Sequence, residues 1–143
     1  MNIYRLSTEV FWGVALFALS PLLAGCERMA MHDATTITDV NLSTDEAGKH
    51  VSTTFKPGDH TIYASGYLNS PGKGVKMKAV WTQVNAGGVK NHILYENDFT
   101  LDGETSTFAG NISRQTDWPI GTYTTEFYFA GRVSHTIDWK VSK

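Results

Sequence analysis

Trp118-Pro119-Ile120-Gly121-Thr122-Tyr123 runs on through Thr124-Thr125-Glu126-Phe127-Tyr128-Phe129 to Gly131, and then to Val133-Ser134-His135-Thr136-Ile137-Asp138-Trp139-Lys140-Val141. Successive side chains of a strand point to opposite sides, so this stretch sorts into faces. Tyr123, Thr125, Phe127 and Phe129 oppose Thr122, Thr124, Glu126 and Tyr128. Val133, His135, Ile137, Trp139 and Val141 oppose Ser134, Thr136, Asp138 and Lys140. Two consecutive period-two segments, each with one apolar face and joined at Ala130-Gly131, predict an antiparallel hairpin lying on a core.

The same grammar extends toward the N-terminus. No segment after Thr35 places apolar residues at helical spacing, and short runs of β-branched and aromatic residues alternate with Gly, Asn, Asp and Pro. Strands are predicted at 35–43, 50–55, 60–69, 75–85, 90–100, 104–113, 121–130 and 132–142. Pro57-Gly58-Asp59, Asn69-Ser70-Pro71-Gly72, Asn85-Ala86-Gly87-Gly88 and Leu101-Asp102-Gly103 supply turns between them. In 75–85, Val75, Met77, Ala79 and Trp81 oppose Lys76, Lys78, Val80 and Thr82. In 60–69, Ile62, Ala64, Gly66 and Leu68 oppose Tyr63 and Tyr67. Several strands with one apolar face each imply an all-β, two-sheet antiparallel sandwich of about seven or eight strands.

Trp81 inside a middle strand, and Gly121-Thr122-Tyr123 opening the penultimate one, resemble the core tryptophan and the tyrosine corner of immunoglobulin-like domains. The run from Trp118 to Val141 is similar to the C-terminal half of bacterial extracytoplasmic members of that superfold. The resemblance implies that the Tyr123 hydroxyl ties the corner to the loop before it, and that Trp81, Tyr123 and Trp139 are structural. It departs from antibody-type domains at Thr125, which stands where a disulfide cysteine would be. No cysteine occurs after Cys26, so the expected domain has no disulfide.

Ahead of the domain, Leu23-Ala24-Gly25-Cys26 closes an apolar run that begins near Val10, behind Arg5. At about 15 residues the run is short of the ~20 that a spanning helix needs and suits a signal-peptide core. The tetrad resembles the lipobox of bacterial lipoproteins. The resemblance implies that 1–25 are cleaved and that Cys26 is acylated with membrane-inserting fatty chains. Residues 26–34 then form the acylated cysteine and tether, and 35–143 the sandwich. Each buried methylene contributes about 0.8 kcal/mol, so two or three chains anchor stably where one does not. Glu27, where enterobacterial inner-membrane lipoproteins carry aspartate, points to the outer membrane, with either face open.

The 143 residues carry a formal charge of -2 with an isoelectric point near 6.2, which gives no electrostatic case for nucleic acid. Lys73, Lys76 and Lys78 form a small basic group that reads as a solvated strand face. His50, His60, His92 and His135 are available for chemistry, but no serine sits in a nucleophile elbow, and the lipobox resemblance implies that the sole cysteine is acylated. No ligand spacing calls for a metal, and no cofactor is implied. Glu96, Asp98, Asp102 and Glu104 cluster around a turn that Asp102-Gly103 already explains.

The expected function is therefore non-catalytic: a lipid-anchored envelope module, attached to the membrane through Cys26, that binds an envelope protein. A glycan-binding module is the alternative, with Tyr63, Tyr67 and Trp118 as its candidate surface, since exposed rings with hydrogen-bonding handles serve sugars. Outward tyrosines that merely pack against cross-strand neighbours are the structural counterpart of that reading.

Overall fold

The computed structural model describes residues 35–143. Cys26, the segment 1–25 expected to be cleaved and the expected tether 26–34 lie outside the described residues. Eight strands follow in order: β1 Thr36–Ser43, β2 Thr54–Phe55, β3 Thr61–Asn69, β4 Lys76–Ala86, β5 Val89–Thr100, β6 Thr107–Ser113, β7 Gly121–Phe129 and β8 Arg132–Val141. They form a three-stranded sheet, β1-β3-β6, and a five-stranded sheet, β2-β8-β7-β4-β5. All pairings are antiparallel except the short one between β2 and β8, where Thr54 and Phe55 run parallel to Lys140 and Val141. The chain thus leaves the first sheet after β1 and lends two residues to the edge of the second.

Between the sheets, Leu42, Ile62, Ala64, Leu68 and Ile112 from one meet Phe55, Met77, Ala79, Trp81, Phe127 and Val141 from the other. Phe108 crosses the gap to Phe127 with ring centroids 5.2 Å apart. Gly66 makes room for it, because a Cβ there would stand 2.7 Å from the Phe108 ring. Trp139 is the hub of the aromatic end of this core. Its ring stacks on Tyr123 at 4.3 Å and meets Phe55, Trp81 and Trp118 edge-on at 5.6, 6.3 and 5.9 Å. Its indole N–H donates to the Thr125 hydroxyl at 3.0 Å. Thr125, in the position of an antibody cysteine, is fully buried and holds the core by accepting that bond.

The corner expected at Tyr123 is present: the hydroxyl donates to the Pro119 carbonyl at 2.6 Å. Tyr123→Phe removes one hydrogen bond and leaves that carbonyl without its donor. We expect a loss of about 0.5–1.5 kcal/mol in denaturant melts, the net value of one such bond, with the fold retained.

Two faces differ from the alternation. Val133, expected inside, is 51% exposed. Phe127 pairs with His135 but Tyr128 with Val133, so Ser134 is an extra residue in β8. This bulge inverts the alternation ahead of it, so Val133 pairs with outward Tyr128 and turns to the surface. His135 stays on the core side and is half-buried. Val80, expected outside, faces outward yet is buried. It sits in a central strand with Glu96 of β5 and Glu126 of β7 in register on either side, and their stems cover it.

Candidate binding surfaces

Trp118 presents no exposed ring, and reaches the surface only as part of the floor of a depression of about 390 Å³ beside Tyr95 and Arg114. It is 2% exposed, its indole N–H donates to the Asp59 carbonyl at 2.9 Å, and its ring packs edge-on against Tyr123 and Trp139. The Arg114 guanidinium lies over it, 5.8 Å from the ring centroid. Pro119 and the corner draw this ring under the loop, so the candidate surface of Tyr63, Tyr67 and Trp118 is corrected to the two tyrosines. Those two do share the outer face of β3. Tyr67 is 57% exposed and Tyr63 half-buried.

Register supplies the neighbours of the tyrosines. Across the three strands, Thr38, Tyr67 and Thr107 form one row, Asn41, Ser65 and Ala109 the next, and Ser43, Tyr63 and Asn111 a third. Thr36 pairs with Asn69 at one end, and Thr61 with Ser113 at the other. None of these thirteen positions carries a charged side chain, and all but the buried Ser43 meet water at least in part. Two exposed carboxylates adjoin these rows: Asp39, at positive φ in the β1 bulge between the Tyr67 and Ser65 rows, and Glu46, which lines a depression of about 150 Å³ with Tyr63, Ala109 and Asn111. The outer face of the five-stranded sheet is the opposite in character. Lys78 pairs with Glu96 at 3.6 Å, and the Tyr128 hydroxyl donates to Glu126 at 3.0 Å, a bond that raises the Tyr128 pKa.

A further surface was not singled out from sequence. β5 ends the five-stranded sheet, so one side of its twelve residues is unpaired. Three of the exposed large hydrophobic residues lie on it: Val89, Ile93 and Tyr95. Trp81 pairs with Tyr95 but Thr82 with Ile93, which makes Leu94 an extra residue. This bulge aims Ile93 and Tyr95 to opposite sides of the sheet. Tyr95 and Leu94 line a depression of about 390 Å³ that continues onto Ile112 and Ser113 of β6, itself the edge of the other sheet. The apolar content of 89–95 was legible in the sequence. Its exposure depended on β5 being an edge, which local sequence does not encode.

The histidines form two carboxylate pairs. His50 Nδ1 lies 3.0 Å from Asp45 Oδ2, and His60 Nε2 lies 3.2 Å from Asp117 Oδ1. Among the described residues, no serine or threonine hydroxyl is hydrogen-bonded to either ring, so neither pair extends to a nucleophile.

The acidic turn serves its own backbone. Asp102 Oδ1 accepts the N–H groups of Glu104 and Thr105 at 2.8 Å each, and Oδ2 accepts the Thr105 hydroxyl at 2.7 Å. These bonds, that from the Thr105 N–H foremost, pull the carboxyl from 3.8 to about 2. A carboxyl depressed in the folded state stabilises it above the unfolded pKa and loses that effect as pH falls through the folded one. Asp102→Ala is therefore expected to lower stability at pH 7, with the difference shrinking from about pH 4 downward and closing only below about pH 2 in urea melts.

No protein-family model matches the chain, and no curated protein does. Among solved structures, it is similar to an immunoglobulin-like protein from Pseudomonas aeruginosa, with a TM-score of 0.58 at 11% identity, over 78% of this chain and 99% of that one. With eight strands in two sheets and a tyrosine corner at β7, residues 35–143 form an immunoglobulin-like β-sandwich.

Proposed function

We propose that this chain is a lipid-anchored lipoprotein of the cell envelope, directed to the outer membrane, whose sandwich is a non-catalytic adaptor that docks an envelope protein along the free edge of β5. The observation that carries the reading is the concentration of Val89, Ile93 and Tyr95 on an unpaired edge strand. An edge offers a row of backbone donors and acceptors to an incoming extended segment, and side chains on its two faces offer pockets for alternate residues. Ile93 on one side of β5 and Tyr95 on the other suit that arrangement. The lipobox of Leu23-Ala24-Gly25-Cys26 supplies the anchor.

Two measurements test the two halves. Mass spectrometry of the mature N-terminus is expected to find acylated Cys26 in the parent and an unprocessed chain in Cys26→Ser. A lipid-free domain beginning elsewhere overturns the anchoring. In detergent-solubilised envelopes, the full chain is expected to retain one protein stoichiometrically, and Ile93→Lys combined with Tyr95→Ser to lose it at unchanged melting temperature. Equal retention by the double variant overturns the docking edge.

A further inference from the structure

We infer that the outer face of the β1-β3-β6 sheet is a second, separate binding site, for an uncharged polysaccharide. The chain as a whole is 18% charged, and its other sheet face carries lysine and glutamate side by side. Twelve water-facing positions without one charged side chain, with Ser43 buried beside them, are therefore a distinctive composition for a surface. The groups present are hydroxyls of threonine and serine, amides of Asn41, Asn69 and Asn111, and the two tyrosine rings.

Each alternative ligand chemistry fails against that set. A phosphate-bearing ligand needs cationic donors, and this face has no lysine or arginine. A lipid tail needs a contiguous apolar patch, and here Ala109 and the faces of the two rings are interrupted by polar groups. A protein partner brings its own charges, which this face would desolvate without pairing. A neutral sugar chain has none of these costs. Its hydroxyls exchange hydrogen bonds with amides and hydroxyls, and its C–H faces lie on aromatic rings.

The geometry suits a linear chain rather than a single sugar. Tyr63 and Tyr67 are four residues apart on one strand, about 13 Å at the rise of an extended chain. Between them stand Ser65, with Asn41 and Ala109 in register on its two sides. These short side chains leave a shelf flanked by two rings. Glu46, beside Tyr63, marks one end of the shelf, where the surface stops being neutral.

The test uses the full chain in detergent and affinity electrophoresis through gels containing a β-glucan, dextran, mannan or, as the charged control, polygalacturonate. At least one neutral polymer is expected to retard the protein, and polygalacturonate is not. Tyr67→Ala is expected to weaken retardation by roughly tenfold, about the area term of one partly buried ring, and Tyr63→Ala with Tyr67→Ala to abolish it. Thr107→Glu, which adds one charge beside Tyr67, is expected to weaken it without altering the melting temperature. The Ile93→Lys, Tyr95→Ser variant is expected to be retarded like the parent, which separates this site from the β5 edge. Absence of retardation by every neutral polymer overturns the inference, as does retardation that survives loss of both tyrosines.

Discussion

Trp139→Ala is expected to lower the unfolding free energy by about 3–5 kcal/mol, the range for removing a buried large aromatic from a packed core. The upper part of that range applies here for two reasons. The ring is in contact with four other aromatic rings, so its loss leaves a void that Tyr123, Phe55, Trp81 and Trp118 all border. The Thr125 hydroxyl also loses its indole donor in a position where it has no exposure to water. Domains of this size have about 5–15 kcal/mol in total, so the variant stands close to unfolding at room temperature. Denaturant melts measure it directly. Trp139→Phe retains part of the packing and loses the hydrogen bond, and is expected to fall between parent and Ala. A loss below about 1 kcal/mol for Trp139→Ala would contradict the ring's place at the centre of the cluster.

Gly121→Ala adds a single methyl group and is expected to cost a comparable amount. Gly121 has φ at 153°, which side chains rarely adopt, and a Cβ there would overlap the Asn85 carbonyl oxygen and come within 2.5 Å of the Ala86 Cα. Those neighbours are backbone of the paired strand β4, where Ala86 is Gly121's own partner. Backbone inside a ladder yields less readily than the tip of a side chain. Strain of about 1–3 kcal/mol at an unfavourable φ combines with a packing cost of about 1–3 kcal/mol, so a loss of roughly 2–6 kcal/mol is expected. Thermal melts of the purified variant check this. Gly58→Ala is the internal control, because a Cβ at Gly58 meets nothing within 4 Å.

The sequence was most legible where pattern and turn chemistry agree. Strand ends at Asn69 and Thr100 follow from the turn residues at and beyond them, and the corner at Tyr123 follows from Pro119 and Gly121. It was least legible where tertiary pairing inserts a residue. Nothing in Arg132-Val133-Ser134-His135 says that Ser134 will be extra, yet that one residue turns Val133 from core to surface. The β5 bulge at Leu94 separates Ile93 and Tyr95 in the same way. Trp118 illustrates the converse limit: a tryptophan in a loop before a strand reads equally as a ligand platform or a plug, and only the Asp59 carbonyl that meets its N–H decides for the plug. Tyr63 and Tyr67 were placed correctly by alternation. The uncharged field around them needed β1 and β6 in register, which no single strand reveals.

The threonine that receives the Trp139 indole has a consequence for where and when this domain can exist folded. Residues 35–143 contain no thiol, so no cross-link in the sandwich can be made or broken by thiol oxidation or reduction. A cross-link would have added about 2–4 kcal/mol, but would have tied that increment to the reduction potential of the surroundings. With Thr125 in its place, the sandwich needs no thiol oxidation to reach its native state, and a thiol reductant in its surroundings finds no cross-link there to break.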